Sequence, residues 1–190
     1  MERNDLRVAV IGAGHVGLAT AVVLAEQGHH VVLVERDPGR MAALTNGQIP
    51  FHEPGLPEAY ARQHAGGRIV PRGDLPQDGL DLVVVCVGTP VDDTGDANVS
   101  YVARALEQAV PAVAAGAACV IRSTLPVGSA LRLASRSGIP LGRIFVAPEF
   151  LRQGSALDDI RRPTRVVLGT FGEHPDPNAF ARVKDALAVP

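Results

Sequence analysis

One stretch near the N-terminus constrains the fold of this 190-residue chain more than any other. An apolar run at residues 6–11 leads into Gly12-Ala13-Gly14-His15-Val16-Gly17, and a helical repeat of apolar residues follows as far as Gly28. A second apolar run, residues 30–35, ends in an acidic side chain. A glycine turn between a strand and a helix, followed by an acid at the next strand end, is typical of a dinucleotide-binding βαβ unit.

Each member of this pattern has a physical role. Gly12 allows the tight turn, Gly14 lets the backbone approach a pyrophosphate, and Gly17 lets the helix pack closely on the strand. The start of the helix offers free N–H groups to phosphate oxygens. Glu35 lies 18 residues after Gly17, at the position where a carboxylate accepts ribose hydroxyls.

The acid also bears on the choice between the two nicotinamide cofactors. A carboxylate at Glu35 would repel the 2′-phosphate of NADP, so we expect NAD as the cofactor. The adjacent Arg36 is the one feature that favours the phosphate instead. Arg40 follows one helical turn later, where it either reaches back to the pyrophosphate or belongs to a solvated helix face.

The rest of the chain alternates between strands and helices, which predicts an α/β fold: a doubly wound, parallel Rossmann sheet with helices on both faces. We interpret residues 1–190 as one such domain. Further helices are predicted at residues 38–46, 56–64, 99–115, 127–137 and 177–187, and further strands at residues 68–70, 80–87, 118–123, 143–147 and 165–168.

Composition excludes several classes of function. The formal net charge of −2 gives no reason to expect a nucleic-acid partner. No apolar run approaches the ~20 residues of a membrane-spanning helix, and the charged N-terminus does not resemble a secretory signal. Cys86 and Cys119 lie inside apolar runs, so we interpret them as core residues of a cytoplasmic protein. No metal site is expected.

The ligand of a doubly wound sheet lies at the carboxyl ends of its strands. Three further segments leave predicted strands there, and all three are rich in glycine, proline or small hydroxyl residues that let the backbone approach a ligand. They are residues 87–90, 123–128 and 147–154.

Together these segments resemble the N-terminal NAD-binding domain of the UDP-glucose/GDP-mannose dehydrogenase family. The likeness keeps its order along the chain and is most specific in Ser-Thr-Leu-Pro-Val-Gly at 123–128 and Pro-Glu-Phe-Leu-Arg at 148–152. It extends to residues 12–18, 49–56, 87–90 and 165–169. Two positions depart from the family: His15 replaces a favoured tyrosine, and Gln153 replaces a usual glutamate.

The resemblance implies oxidation of a nucleotide-sugar alcohol to a carboxylate by two NAD, through an aldehyde and a cysteine-bound thioester. It implies that Glu149, together with Thr124, handles the water that hydrolyses the thioester. The implied substrate contacts are Glu149, Phe150, Leu151 and Arg152. The implied NAD contacts are Gly12, Ala13, Gly14, His15, Val16, Gly17, Glu35, Arg40, Thr89, Thr124 and Gln153.

Alternatives stay open at this point. Glu149 is also consistent with the start of a helical turn, and Thr124 with a helix cap. Details of residues 49–56 and 162–168 favour UDP-glucose over GDP-mannose or UDP-N-acetylmannosamine. A dehydrogenase of the 3-hydroxyacid type would share the glycine turn but not residues 148–152.

The same resemblance bears on activity. The family's catalytic cysteine, and the lysine and asparagine of its central helix, are expected beyond residue 190, in a C-terminal half that also carries a nucleotide-sugar domain. The chain alone is then expected to be inactive, and a homodimer is expected only of a full-length parent. A stand-alone NAD-binding module is the rival interpretation.

Overall fold

The computed structural model describes residues 5–93 and 95–187, which form one seven-stranded sheet with helices on both faces. The strands follow the order β3-β2-β1-β4-β5-β6-β7. They are β1 (Arg7–Ile11), β2 (His30–Val34), β3 (Ile69–Arg72), β4 (Leu82–Val85), β5 (Ala118–Ile121), β6 (Ile144–Val146) and β7 (Gly169–Thr170).

The first six strands are parallel, and the chain reverses its direction of winding between β1 and β4. This reversal is the topological switch point of a doubly wound sheet, where ligands bind at the carboxyl ends of the strands. The predicted fold class is therefore confirmed. The helices are α1 (His15–Glu26), α2 (Pro38–Thr45), α3 (Leu56–Ala65), α4 (Ser100–Ala114), α5 (Ser129–Arg136), α6 (Ala156–Arg161) and α7 (Pro177–Leu187).

The core consists of two apolar layers, one on each face of the sheet. Successive strand residues point to opposite faces, so Val84 packs with α1, α3, α6 and α7, whereas Val83 and Val85 pack with α4 and α5. Both faces of β1, β4 and β5 are covered. This explains why their sequences are nearly continuous aliphatic runs.

The last predicted strand, residues 165–168, is wrong. The strand comes later, at Gly169–Thr170, and it pairs antiparallel with Phe145 and Val146 of β6. Residues 163–166 instead line a cavity beside α1, and the Arg165 guanidinium lies over the Phe150 ring at 5.5 Å. The β-branched residues of this segment favour a strand, but these contacts draw the segment away from β6.

A buried carboxylate joins two loops that are far apart in sequence. Glu53 lies in the loop before α3 and is only 1% exposed. One of its oxygens accepts a hydrogen bond from the Gly154 N–H at 3.1 Å and the other accepts from the Ala156 N–H at 2.9 Å. Glu53 thus caps α6, a helix that the sequence did not predict, and fixes the end of the segment that follows β6.

No helix within residues 5–93 and 95–187 combines the length and the apolar character that crossing a membrane requires.

Replacement of Glu53 by glutamine should destabilise the fold. A glutamine amide has one acceptor oxygen, whereas the N–H groups of Gly154 and Ala156 both donate to Glu53, so one donor is left without a partner. We expect Glu53→Gln to lower the free energy of unfolding by about 1–3 kcal/mol in urea denaturation, the range for a buried charged hydrogen bond. Glu58→Gln, at an exposed position on α3, is the control and should change it by a few tenths. Equal urea midpoints for Glu53→Gln and Glu58→Gln would refute the role of Glu53 in joining the two loops.

Candidate dinucleotide-binding site

The glycine turn adopts the geometry that its sequence predicts. Gly12 has a φ of +101°, and a Cβ there would lie 2.9 Å from the Cys86 carbonyl oxygen. A Cβ on Gly17 would lie 1.8 Å from the Gly12 carbonyl oxygen, a contact that no side chain tolerates. Gly17 is therefore required by the close packing of α1 on the end of β1, and Gly12 by its positive φ and by the close approach of Cys86 after β4.

The third glycine faces open space. A Cβ on Gly14 would meet no described atom within 4 Å, so the surface above the turn is accessible to a ligand. Gly14 is the N-cap of α1, and no described side chain caps this helix end. The first amides of a helix lack partners within the helix, so this helix end offers N–H donors to a ligand. The turn therefore fits a pyrophosphate.

Glu35 is held rigidly at the end of β2, next to this turn. Its carboxylate accepts hydrogen bonds from the backbone N–H groups of Arg36 at 2.7 Å, Asp37 at 2.9 Å and Ala13 at 3.3 Å. These bonds place an acceptor group on the β2 side of the glycine turn. That is the side where the adenosine ribose lies in dinucleotide-binding sheets.

Arg40 lies near the same carboxylate. Its guanidinium approaches Glu35 to 3.9 Å, and about half of the side chain is exposed. At this distance the pair is a weak surface ion pair. The helix carrying Arg40 begins with Asp37, whose side chain accepts the Arg40 N–H at 2.8 Å, and with Pro38. The cap and the proline together explain why α2 begins at this point.

A cavity of about 200 Å³ continues from the glycine turn across the ends of β4 and β5. We call it the cofactor cavity. It brings together six of the predicted residues, namely Gly14, His15, Val16, Thr89, Thr124 and Glu149. Two hydroxyl groups hold its far wall: Thr89 Oγ1 donates to the Thr124 carbonyl at 3.0 Å, and Ser123 Oγ donates to the Val87 carbonyl at 2.7 Å.

His15, at the position where the family favours tyrosine, stacks on an aromatic ring. Its imidazole lies 4.0 Å from the Phe51 ring centroid at an interplanar angle of 25°. Phe51 belongs to the same loop as the buried Glu53. The stack therefore connects the glycine turn to the loop that the hydrogen bonds of Glu53 hold in place.

A second cavity of about 250 Å³ lies between α1, the segment after β6 and the end of α7. We call it the inner cavity. Glu149, Phe150, Leu151 and Arg152 line it, so all four predicted substrate residues share one cavity. Glu149 also lines the cofactor cavity. Its carboxylate accepts the Leu151 N–H at 2.6 Å, which fixes it between the two cavities.

Two of the predicted substrate residues, Phe150 and Arg152, have protein partners at the mouth of the inner cavity. Arg152 donates to both carboxylate oxygens of Asp159, at 2.7 and 3.2 Å. These hydrogen bonds lower the pKa of Asp159 to about 2. Phe150 is 56% exposed and stacks under Arg165, so its ring faces outward.

Two of the alternative interpretations can be judged from these positions. The helix after Thr124 is capped at Gly128, so Thr124 is not a helix cap. Glu149 lies in irregular backbone and the next helix, α6, begins at Ala156, so Glu149 does not start a helical turn. Gln153 is exposed and lines neither cavity in the described part of the chain.

Three polar residues that sequence reasoning missed also line the inner cavity. Thr20 Oγ1, both amide atoms of Gln27, and Arg122 Nε are buried without a hydrogen-bond partner among the described residues. Thr20 and Gln27 lie on the helix face that the apolar repeat assigns to packing. Arg122 directly follows an apolar strand, and a charge at a buried strand end is the signal that could have revealed it.

Both cysteines are core residues, as predicted. Cys86 packs in the layer on the α1 side of the sheet and Cys119 in the layer on the α4 side. Burial raises the pKa of each thiol to about 12. Neither is a nucleophile near neutral pH. The described residues also contain no cluster of three or more side chains able to hold a metal ion.

The sheet order, the glycine turn and Glu35 define a dehydrogenase-type dinucleotide-binding domain. Residues 6–184 match the family described as "UDP-glucose/GDP-mannose dehydrogenase family, NAD binding domain", and the chain belongs to this family. Its cofactor is accordingly NAD, and it is the NAD-binding domain of a nucleotide-sugar dehydrogenase family.

Individual relatives agree with this assignment. The chain is 40% identical over 175 residues to UDP-glucose 6-dehydrogenase of Pseudomonas aeruginosa, an alignment that covers 87% of this chain and 39% of the relative. A UDP-glucose dehydrogenase from Pyrobaculum islandicum superposes with a TM-score of 0.85 at 30% identity, covering 100% of this chain and 46% of that one.

A ternary complex of GDP-mannose dehydrogenase from Pseudomonas aeruginosa superposes with a TM-score of 0.83 at 25% identity, covering 95% of this chain and 44% of that one. The chain thus spans about two fifths of the length of the curated relatives it matches.

The thiol burial predicts slow alkylation. With a pKa of about 12, each thiol is ionised to less than about one part in a thousand at pH 8.5. Since only the thiolate reacts, alkylation is slow. We expect iodoacetamide to leave Cys86 and Cys119 unmodified in the folded chain, as measured by intact mass, and to modify both in 8 M urea as the control. Rapid modification of either cysteine in the folded chain would contradict the burial.

Proposed function

We propose that this chain is the NAD-binding part of a UDP-glucose 6-dehydrogenase that converts UDP-glucose to UDP-glucuronate. The observation that carries the proposal is the position of Glu149 between the cofactor cavity and the inner cavity. The choice of UDP-glucose is supported by four relatives named UDP-glucose 6-dehydrogenase that are 34–40% identical, compared with 30% for two GDP-mannose 6-dehydrogenases.

The order of the strands supports an orientation for the cofactor. With the ribose of adenosine at Glu35 on β2 and the pyrophosphate on the glycine turn of β1, the nicotinamide end extends over β4 and β5. The cofactor cavity lies at those strand ends, where Thr89 and Thr124 bound it. When bound there, NAD would supply a hydride acceptor next to Glu149.

In this proposal the predicted site residues have separate roles in binding and catalysis. The backbone of residues 13–17 binds the pyrophosphate, while Glu35 orients the adenosine ribose and Arg40 lies nearby. Glu149 takes a proton from the water that completes the oxidation, with Thr124 beside it, a contribution typically worth ~10² to 10⁴ in rate. Phe150, Leu151 and Arg152 bind the nucleotide sugar at the mouth of the inner cavity. Gln153 is a more distant contact on the NAD side.

We further propose that the nucleophile comes from a separate C-terminal half. Both cysteines of this chain are buried in apolar layers, on opposite faces of the sheet. The thioester of the family's chemistry needs an ionised thiol within reach of the sugar. As a domain on its own, the chain is then an NAD-binding module without turnover.

The first test concerns cofactor choice. We expect the chain to bind NADH at least about tenfold more tightly than NADPH, and Glu35→Ala and Glu35→Gln to narrow this gap by roughly tenfold, because a carboxylate no longer faces the 2′-phosphate. Glu107→Gln, an exposed acid on α4, is the matched control and should leave the ratio unchanged. Calorimetric titrations that show equal affinity for the two cofactors in the parent sequence would sink the assignment of Glu35.

The second test concerns turnover. The purified 190-residue chain, supplied with UDP-glucose and NAD, should form no NADH above background, measured as absorbance at 340 nm. Binding of NADH by the same sample, followed by fluorescence, is the control for a folded site. Sustained formation of UDP-glucuronate would overturn the proposal that the nucleophile lies elsewhere, and would direct attention to Cys86, the thiol that lines the cofactor cavity. NADH without UDP-glucuronate would overturn only the absence of turnover, because oxidation of the alcohol to the aldehyde needs no thiol.

A further inference from the structure

Arg122 occupies the wall that separates the two cavities. Its backbone N–H donates to the Val85 carbonyl at 2.8 Å, which fixes the residue at the carboxyl end of β5. Its side chain lines both the cofactor cavity and the inner cavity. Among the described residues only Glu149 shares this double position, so the two opposite charges border the same two spaces.

The Arg122 side chain is half-buried and incompletely paired. Its Nε has no hydrogen-bond partner among the described residues, and burial lowers the pKa of Arg122. A guanidinium nevertheless stays protonated in proteins, so a full positive charge lies at this half-buried position between the two cavities. An anion nearby offsets the cost of removing part of this charge from water.

The choice of that anion can be made by elimination. The carboxylates that line either cavity in the described chain are Glu149 and Asp159. Asp159 is already held by Arg152 through three hydrogen bonds. The Cys86 thiol borders the cofactor cavity, but it stays protonated because burial raises its pKa to about 12. Glu149, whose negative charge raises the pKa of Arg122, is therefore the carboxylate that can balance this charge across the cavities without a direct ion pair.

We propose that Arg122 and Glu149 form a charge-balanced pair beside the nicotinamide end of the bound cofactor, and that this pair sets the preference of the chain between NAD⁺ and NADH. The proposal rests on the proposed function, in which that end of the cofactor occupies the cofactor cavity. The oxidised nicotinamide ring carries a positive charge that the reduced ring lacks. An unbalanced cation at this wall would disfavour NAD⁺, and an unbalanced anion would favour it.

Balance has a use in a reaction that consumes two molecules of NAD. The oxidised form has to bind twice, and the reduced form has to leave between the two steps. A neutral wall avoids strong retention of either form. In this role Arg122 is a positioning and specificity residue that acts on the cofactor through its charge.

The pair predicts opposite effects for its two members. We would measure dissociation constants of NAD⁺ by calorimetry and of NADH by its fluorescence, which is free of tryptophan background because the chain has none. Arg122→Met should lower the ratio Kd(NAD⁺)/Kd(NADH) by roughly three- to tenfold, and Glu149→Gln should raise it by a similar factor. Arg122→Lys and the double variant Arg122→Met/Glu149→Gln should keep the parent ratio.

Arg136→Gln, which removes an exposed arginine at the end of α5, is the control for a change in net charge. Ratios that stay constant in both single variants, or that move in the same direction, overturn the proposal. If Arg122→Met does not fold, a ratio that does not rise in Glu149→Gln, or that changes in Arg122→Lys, overturns it. A parent chain that binds neither form of the cofactor would instead refute the proposed function itself.

Discussion

The contact between the start of α1 and the end of β1 is the constraint on which the rest of the site depends. Because a Cβ on Gly17 would lie 1.8 Å from the Gly12 carbonyl oxygen, the helix can lie this close only with glycine at position 17. This approach brings the helix N-terminus to the edge of the sheet, level with the ends of β2, β4 and β5. Glu35, the glycine turn and the cofactor cavity therefore lie side by side.

The second anchor is the buried Glu53, which acts at a distance. Its two hydrogen bonds hold Gly154 and Ala156, at the end of the segment that carries Glu149. Its own loop brings Phe51 to the ring of His15. Movement of this loop would displace both the glycine turn and the proposed substrate residues. Burying the Glu53 carboxylate costs free energy, so its use to join two loops indicates that the relative position of the loops matters.

The sequence predicted the glycine turn, Glu35 and the alternating strands because these depend on local pattern: periodicity, glycine spacing and a strand-end acid. It did not predict α6 or the pairing of β7. The acid that caps α6, Glu53, lies 103 residues before Ala156, so no local pattern connects the two. The composition of residues 165–168 favours a strand, but Arg165 lies over the Phe150 ring and the segment lines the inner cavity instead. Arg122 had a local signal, a charge directly after an apolar strand, but its place between the two cavities depends on segments that are distant in sequence.

The two outer strands have a consequence for how copies of this chain meet. An exposed sheet edge is a template for pairing with a strand of another molecule, which leads to aggregation. Here one edge strand, β3, contains Pro71, which lacks an N–H to donate, and the other, β7, is only two residues long and runs against its neighbour. Neither border offers the long row of unpaired amides that strand addition requires, so the sheet is protected against growth at both ends.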